Sequence, residues 1–451
     1  METAASWGRR TNRGDGHARF GIRSSGSRGF GSAVGGSGRL RARPYRPAKH
    51  AAGHHRRRAA IDPGAHAAGP GRLIPPAGAI PGNRAGAAAT APVPFSASGI
   101  TATRIVATAD GLRAARADWD ALARRGAAIG LFQNHEWLSA WWNAVAADGA
   151  LSQRYALHVV VLDDADGPAA IAPLALRRDR WPKRLHWMAA DVSDYCDLIA
   201  APGADPAQLW PALKGAMALS GAGLAELTQI RPDGACARLE TGASAALSPY
   251  IDLRGRSWEQ VEQGFSSQLR QEMRRKSRRL TKRVAWNYVE FTDAASRLKA
   301  VDFIAAQKRA QLAGDARAIE THERVFVPFA RAVFAGDGVG AARAHVSALI
   351  AGEKLLAVHL GFVDAERFYY YVPAYNPEFQ ADSPGQLLIY ELVRRAAEAR
   401  VPVFDMLRGD YPYKWRLTDQ SVELRTLAQG LTPVGAAYLT LKKIVGRARG
   451  R

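Results

Sequence analysis

Cysteine is nearly absent: Cys196 and Cys236 are the only two in 451 residues. Two thiols cannot form a disulfide scaffold, and structural zinc needs several ligands at set spacings, so both classes are excluded. Long hydrophobic runs are missing too. No stretch approaches the ~18 consecutive apolar residues of a membrane-crossing helix. There is also no compact apolar leader followed by a small-residue cleavage site, which points to the cytoplasm. No Ser/His/Asp triad, metal-ligand cluster, GxGxxG or Walker loop occurs, so no metal is expected. Acidic residues are scarce, with 41 Asp+Glu against 62 Lys+Arg and a formal charge of +21. Apolar residues are plentiful: at 47% of this length they suffice for two or three domains with real cores.

The charge is unevenly spread. Residues 1–100 hold 16 basic and 3 acidic side chains, 18 of the 43 glycines and 9 of the 24 prolines. Neither strand nor helix periodicity runs through them. Such a composition cannot bury enough apolar surface to offset chain entropy, so 1–98 reads as disordered. Its Ala/Arg/Gly/Pro bias favours an extension in front of the true start. A basic nucleic-acid-binding arm and a targeting segment are the other readings.

From residue 99 the pattern changes. Ile100–Ala107 reads as a strand, Leu112–Arg124 as a helix, and Leu131–Trp142 as an aromatic helix start with Asn134 at its N-cap. Strands are expected over Tyr155–Leu162, Ala169–Arg177 and Ala225–Ile230, with a helix over Pro206–Ser220 before the last. The order recurs: strands Ala344–Ile350, Leu355–Phe362 and Arg367–Ala374, a helix Pro384–Arg400, then a strand Val401–Leu407. Duplication of one α/β unit accounts for this, placing one lobe at 99–250, a second at 251–432 and a basic tail at 433–451. Between the halves, Gln268–Arg283 puts Leu269, Met273 and Leu280 on one helical stripe and carries 8 basic residues against 1 acidic. That density points to an anionic partner for the 268–283 helix.

Four features can carry chemistry. Ser383, Pro384, Gly385 and Gln386 open an apolar-periodic helix and read as a capping box whose first turn can hold a pyrophosphate. Asp405, Gly409, Tyr413 and Lys414 crowd the C-terminal end of a strand, where α/β sheets place their sites. His359 lies among apolar residues of a strand and reads as a core residue or a base. Tyr369, Tyr370 and Tyr371 alternate faces on the next strand.

The pieces, in order, resemble a known family. They are Phe132-Gln…Trp137-Leu-Ser-Ala-Trp141, Ile171-Ala-Pro-Leu, Asp194-Tyr-Cys-Asp197, Arg274-Arg-Lys276…Arg279-Leu, Leu356-Ala-Val-His359, Tyr369-Tyr-Tyr371…Tyr375, Ser383-Pro-Gly385, and Phe404-Asp405…Gly409-Asp410-Tyr-Pro-Tyr413-Lys414. Over about 105–430 the chain resembles GNAT N-acetyltransferases, and among them the CelD/BcsL-like bacterial group associated with cellulose and exopolysaccharide synthesis. Fem-type peptidyltransferases share the two-lobed plan. The resemblance implies an α/β (α+β type) fold of two tandem lobes, each a mixed, largely antiparallel sheet flanked by helices. It implies transfer of an acyl group, acetyl being the one expected, from acyl-CoA bound as co-substrate; the acceptor is not implied by it, and an amine or hydroxyl of a polysaccharide-related or other small acceptor is expected. The usual pyrophosphate loop is richer in Gly and Arg/Gln than Ser383–Gln386.

The expected roles follow. Tyr371, Ser383, Pro384, Gly385, Gln386 and Gly409 bind the donor. Asp405 or His359 takes the proton, and Tyr413 or Lys414 serves the leaving thiolate. Asp194, Tyr195, Arg275 and Arg279 meet the acceptor or another anionic group. A Fem-like aminoacyl transferase using aminoacyl-tRNA, and a non-catalytic protein binding nucleic acid or an anionic polymer, are the alternatives.

Overall fold

The computed structural model describes residues 99–239 and 243–449. The expectations for 1–98 lie outside the described residues. Within them, strands pair in the same order twice. In the second half the antiparallel run is Asn287–Glu290, Ala342–Ala351, Lys354–Val363 and Arg367–Tyr375, followed by a parallel neighbour, Val403–Asp405. The helix Pro384–Glu398 makes the crossover to it. In the first half Ala102–Val106, Val159–Asp164 and Gly167–Ala172 are antiparallel. Arg184–Trp187 then has Leu224–Ile230 as its parallel neighbour, with the helix Pro206–Ala218 between them.

The first half departs from regular pairing at Pro173. The two expected strands Tyr155–Leu162 and Ala169–Arg177 each break, at His158 and Pro173, and change sheets there. Pro173 has no N–H to offer a ladder. Its carbonyl instead receives Met188 N–H at 2.8 Å, while His158 N–H donates to Leu174 O at 3.0 Å.

The halves are joined by an exchange of strands. Ala243–Asp252, at the end of the first half, lies beside Val403–Asp405 of the second. Ser421–Gly430, at the end of the second, lies beside Leu224–Ile230 of the first. The two exchanged strands pair with each other, Ser421 opposite Pro249 and Leu424 opposite Ala246, so one twelve-stranded sheet runs through both halves. The boundary expected at 250 therefore falls inside a strand. The core is shared in the same way. The Trp137 ring meets Phe329 at 4.7 Å and Phe362 at 5.7 Å, edge to face, and all three side chains are fully buried.

The basic helix Ser267–Arg283 buries Leu269, Met273 and Leu280, as their spacing predicts. The expected C-terminal tail is instead a helix, Pro433–Arg449, pinned to the first half by Arg184–Tyr438 (2.8 Å) and Lys442–Glu226 (2.8 Å). Sequence reading also left Ala294–Gln311 and Val327–Ala335 unassigned; both are helices.

A fragment ending at residue 239 lacks both exchanged strands, including Ser421–Gly430, which pairs with Leu224–Ile230. It is expected to show no cooperative thermal transition by circular dichroism alone and to regain one on mixing with a 243–451 fragment. Cooperative melting of the isolated fragment would show those strands to be dispensable.

Candidate active site

The site forms where two parallel strands part. Arg367–Tyr375 and Val403–Asp405 pair only from Arg367 opposite Val403 to Tyr369 opposite Asp405. Past Asp405 the chain follows the exchanged strand: Met406 N–H donates to Pro249 O and Gly409 N–H to Leu247 O, both at 3.0 Å. Residues 370–375 continue with no strand on that side among the described residues. A cleft of about 1030 Å³ opens there, lined by Tyr370–Tyr375, Ser383, Gly385, Gln386, Gly409, Tyr413 and Lys414, with Asp191–Asp194 facing them from the first half. Tyr371 ties the two walls together, its hydroxyl donating to Val192 O at 2.5 Å.

Two titratable groups in this cleft are pushed towards neutrality. Lys414 is buried and donates from Nζ to Leu407 O (2.9 Å) and Arg408 O (3.0 Å). Burial lowers its pKa to about 8, against the opposing pull of the Asp194 and Asp405 carboxylates. Burial raises Asp194 to about 6, with Arg408, 3.7 Å away, pulling it back. Tyr413 is raised by burial and stays a phenol. A carboxyl and an amine shifted in opposite directions within one cleft mark a place for proton transfer.

Two non-glycine residues on the cleft wall adopt left-handed backbone, Ser383 (φ 53°) and Leu407 (φ 59°). Each costs ~1–2 kcal/mol in such a conformation. Both are held in place by neighbouring groups. Leu407 N–H donates to Asp405 Oδ1 at 2.9 Å. Ser383 follows Asp382, whose buried carboxylate receives Arg279 Nε (2.9 Å) and Arg283 Nη1 (2.7 Å).

This backbone overturns the expected capping box. The Ser383 side chain makes no cap bond, because the left-handed turn points it away from the helix. Gln386 N–H and Leu387 N–H both reach Ser383 O, at 3.0 and 3.3 Å. Pro384 has no N–H, so Gly385 N–H is the free first-turn donor among the described residues. The Gln386 side chain does not cap either: its Oε1 accepts from Lys276 Nζ at 2.6 Å. A buried lysine thus stands beside the helix start.

The other expected site residues lie outside the cleft lining. Asp405 is buried beneath it and fully bonded. It accepts from Tyr195 Oη at 2.7 and 2.9 Å and from Arg367 Nη1 at 3.2 Å, besides Leu407 N–H. Since the Tyr195 proton goes to Asp405, Ser248 Oγ, 2.6 Å away, donates to Tyr195. Tyr195, expected to touch the acceptor, is this buried partner instead. His359 is fully buried, stacked on Tyr370 at 4.8 Å and on Phe368 at 5.5 Å. Burial, then neighbouring His345, holds its pKa well below the usual imidazole range, so the ring is neutral. Tyr370, which lines the cleft, separates His359 from it. Arg279 is paired with Asp382, while Arg275 is exposed and in no ion pair among the described residues.

Sequence reasoning missed Asp191, Lys308, Phe326 and Arg408 on the cleft wall. Two of them were legible: Asp191 sits in the same loop as Asp194, three residues earlier, and Arg408 lies between Asp405 and Gly409.

Residues 267–415 match the family model of an acetyltransferase (GNAT) domain. The match begins at the basic helix and ends just past Lys414, and it gives this part of the chain a GNAT acetyltransferase-like fold. No curated protein matches the chain. Among solved structures it is similar to a tandem GNAT protein from the clavulanic acid biosynthesis pathway, with 12% identity, 74% of this chain and 99% of that chain covered, and a TM-score of 0.40. It is similar to FemX, with 10% identity, 70% and 94% coverage and a TM-score of 0.44. It is similar to L-PGS from Bacillus licheniformis, with 12% identity, 74% and 96% coverage and a TM-score of 0.42.

Removing the Asp405 carboxylate strands Arg367 and Tyr195 in a buried site. Asp405→Ala is expected to cost ~3–5 kcal/mol of stability, read by urea denaturation. Asp405→Asn, which keeps an acceptor oxygen, should cost ~1–3 kcal/mol. Wild-type stability in both would exclude this junction as a structural anchor.

Proposed function

We propose that the chain is an acyl-CoA-dependent acyltransferase built from two tandem GNAT-like lobes. The second lobe holds the donor and the first presents the acceptor. The observation that carries this reading is that Asp194 of the first half and Lys414 of the second, with opposed pKa shifts, line one cleft at the parted strands.

The donor's pyrophosphate lies at Gly385 N–H; Lys276, ion-paired with Glu272 at 2.5 Å, holds Gln386 beside it. Its thioester carbonyl points to the unpaired edge of residues 370–375, where backbone N–H groups stabilise the developing oxyanion. Pro373 donates nothing there. The acceptor amine or hydroxyl lies against Asp194, which takes its proton as the new bond to the acyl carbon forms. The tetrahedral intermediate collapses, the carbon–sulfur bond breaks, and Lys414 delivers a proton to the thiolate or holds it as an ammonium. Tyr413 is the second donor within the cleft. Asp405 acts through others: it fixes Leu407, whose carbonyl holds Lys414. His359 stacks behind Tyr370. The remaining rate comes from holding both substrates together.

The tyrosines lining the cleft besides the stacked Tyr370 (Tyr371, Tyr375, Tyr411 and Tyr413) suit a sugar ring. With the resemblance to exopolysaccharide-associated acetyltransferases, they make a glycan-related amine or hydroxyl the preferred acceptor class. A second reading has an observation of its own. Arg275, Arg278 and Lys282 form an exposed stripe at helical spacing with no ion pairs among the described residues, as an aminoacyl-tRNA donor would need.

Acetyl-CoA or a longer acyl-CoA is expected to raise the melting temperature. A shift with charged tRNA and none with acyl-CoA would favour the second reading. Asp194→Asn should lower kcat by ~10²–10⁴-fold while leaving that thermal shift intact. The base must be deprotonated and the ammonium protonated, so kcat/KM should rise through about 6 and fall above about 8. A rate independent of pH across that window would remove both residues from the chemistry.

A further inference from the structure

Among the described residues, seven large apolar side chains are exposed, and six of them lie on three segments: Trp181, Leu219, and Val434, Leu441, Ile444 and Val445. The segments are the loop before strand Arg184–Trp187, the end of helix Pro206–Ala218, and the C-terminal helix Pro433–Arg449.

These segments converge on Gly223. Its N–H donates to Lys183 O at 2.9 Å, and its carbonyl receives Leu431 N–H at 2.9 Å and Thr432 N–H at 3.2 Å. A Cβ at Gly223 would lie 2.6 Å from Cβ of Pro182, and a Cβ at Gly435 would lie 1.7 Å from Gly223 O. Backbone therefore touches backbone where the loop, the strand start and the helix start meet. Along that helix Val434, Leu441 and Val445 recur at spacings of seven and four, with Ile444 beside them, so they share one face.

Cations surround the apolar groups. Arg178, Arg180 and Lys183 flank Trp181, and among the described residues none of them is in an ion pair, whereas Arg177 is paired with Asp179 and Arg184 with Glu226. Lys442 is paired with Glu226; after it the sequence adds four basic residues and no acidic one. This face lies outside the cleft lining and is independent of the chemistry proposed there.

We propose that this face docks the protein on an anionic lipid surface. An exposed tryptophan belongs at the headgroup level, the aliphatic side chains enter the acyl boundary, and the cations meet the lipid charge. A second copy of the same face is disfavoured, because two such faces would bring like charges together. No described helix is long and apolar enough to cross a membrane.

The test uses the full chain and two kinds of vesicle, pure phosphatidylcholine and phosphatidylcholine mixed with phosphatidylglycerol. Co-sedimentation is expected only with the mixed vesicles, and added salt should release the protein. Trp181→Ala/Leu441→Gln/Ile444→Gln should weaken partitioning by ~10-fold or more. Arg178→Gln/Arg180→Gln/Lys183→Gln should do the same on mixed vesicles. All these positions are at least partly exposed, so an unchanged melting temperature is the control for folding. Binding by the first triple variant equal to wild type would overturn the proposal, since the contact would then lie elsewhere on the chain. So would equal binding to neutral vesicles, or a concentration-dependent dimer abolished by the same substitutions.

Discussion

The buried carboxylate of Asp405 is the group on which the cleft depends. One oxygen pair accepts from a tyrosine of the first half, an arginine of the neighbouring strand and the backbone of Leu407. The strands part immediately after it. Without Arg367 the charge would be costly to bury; without Tyr195 the first half would lose its polar tie to this corner. Through Leu407 the same group sets the carbonyl that holds Lys414. A residue outside the cleft thus fixes the position and charge environment of one inside it.

The exchanged strands serve the same end. A cleft at parted strands is open on one side, and its walls must not drift. Here one wall comes from each half, and Ala243–Asp252 paired with Ser421–Gly430 makes the halves a single sheet. The shared aromatic core around Trp137, Phe329 and Phe362 leaves little freedom for hinge motion between them. The loop at Ser383 is fixed from the other side by Arg279 and Arg283 on Asp382. Much of the charge of the basic helix is spent inside the molecule.

Local patterns made much of this legible. The stripe of Leu269, Met273 and Leu280, the hairpins of the second half and the helix after Ser383 follow from period and punctuation, and each is present. Asn134 caps its helix as expected, its side chain accepting from Glu136 N–H. What was not legible depends on partners distant in sequence. Nothing near Asp405 announces Tyr195, 210 residues away. The strand Ala243–Asp252 reads the same whichever half it joins. Ser383 carries the sequence of a cap, yet its left-handed backbone denies it the bond. His359 looks equally like a base or a core residue until the rings of Tyr370 and Phe368 are seen on it.

The strand exchange also governs when the protein can fold. The sheet of the first half is complete only when residues 421–430 arrive beside Leu224–Ile230, about two hundred residues later in synthesis. Until then the edge of that strand stays unpaired, and an open edge recruits other chains. The other strands of the second half and Ala243–Asp252 all precede residue 421, so it is the first half that waits, and a ribosome stalled before residue 421 would leave its edge open.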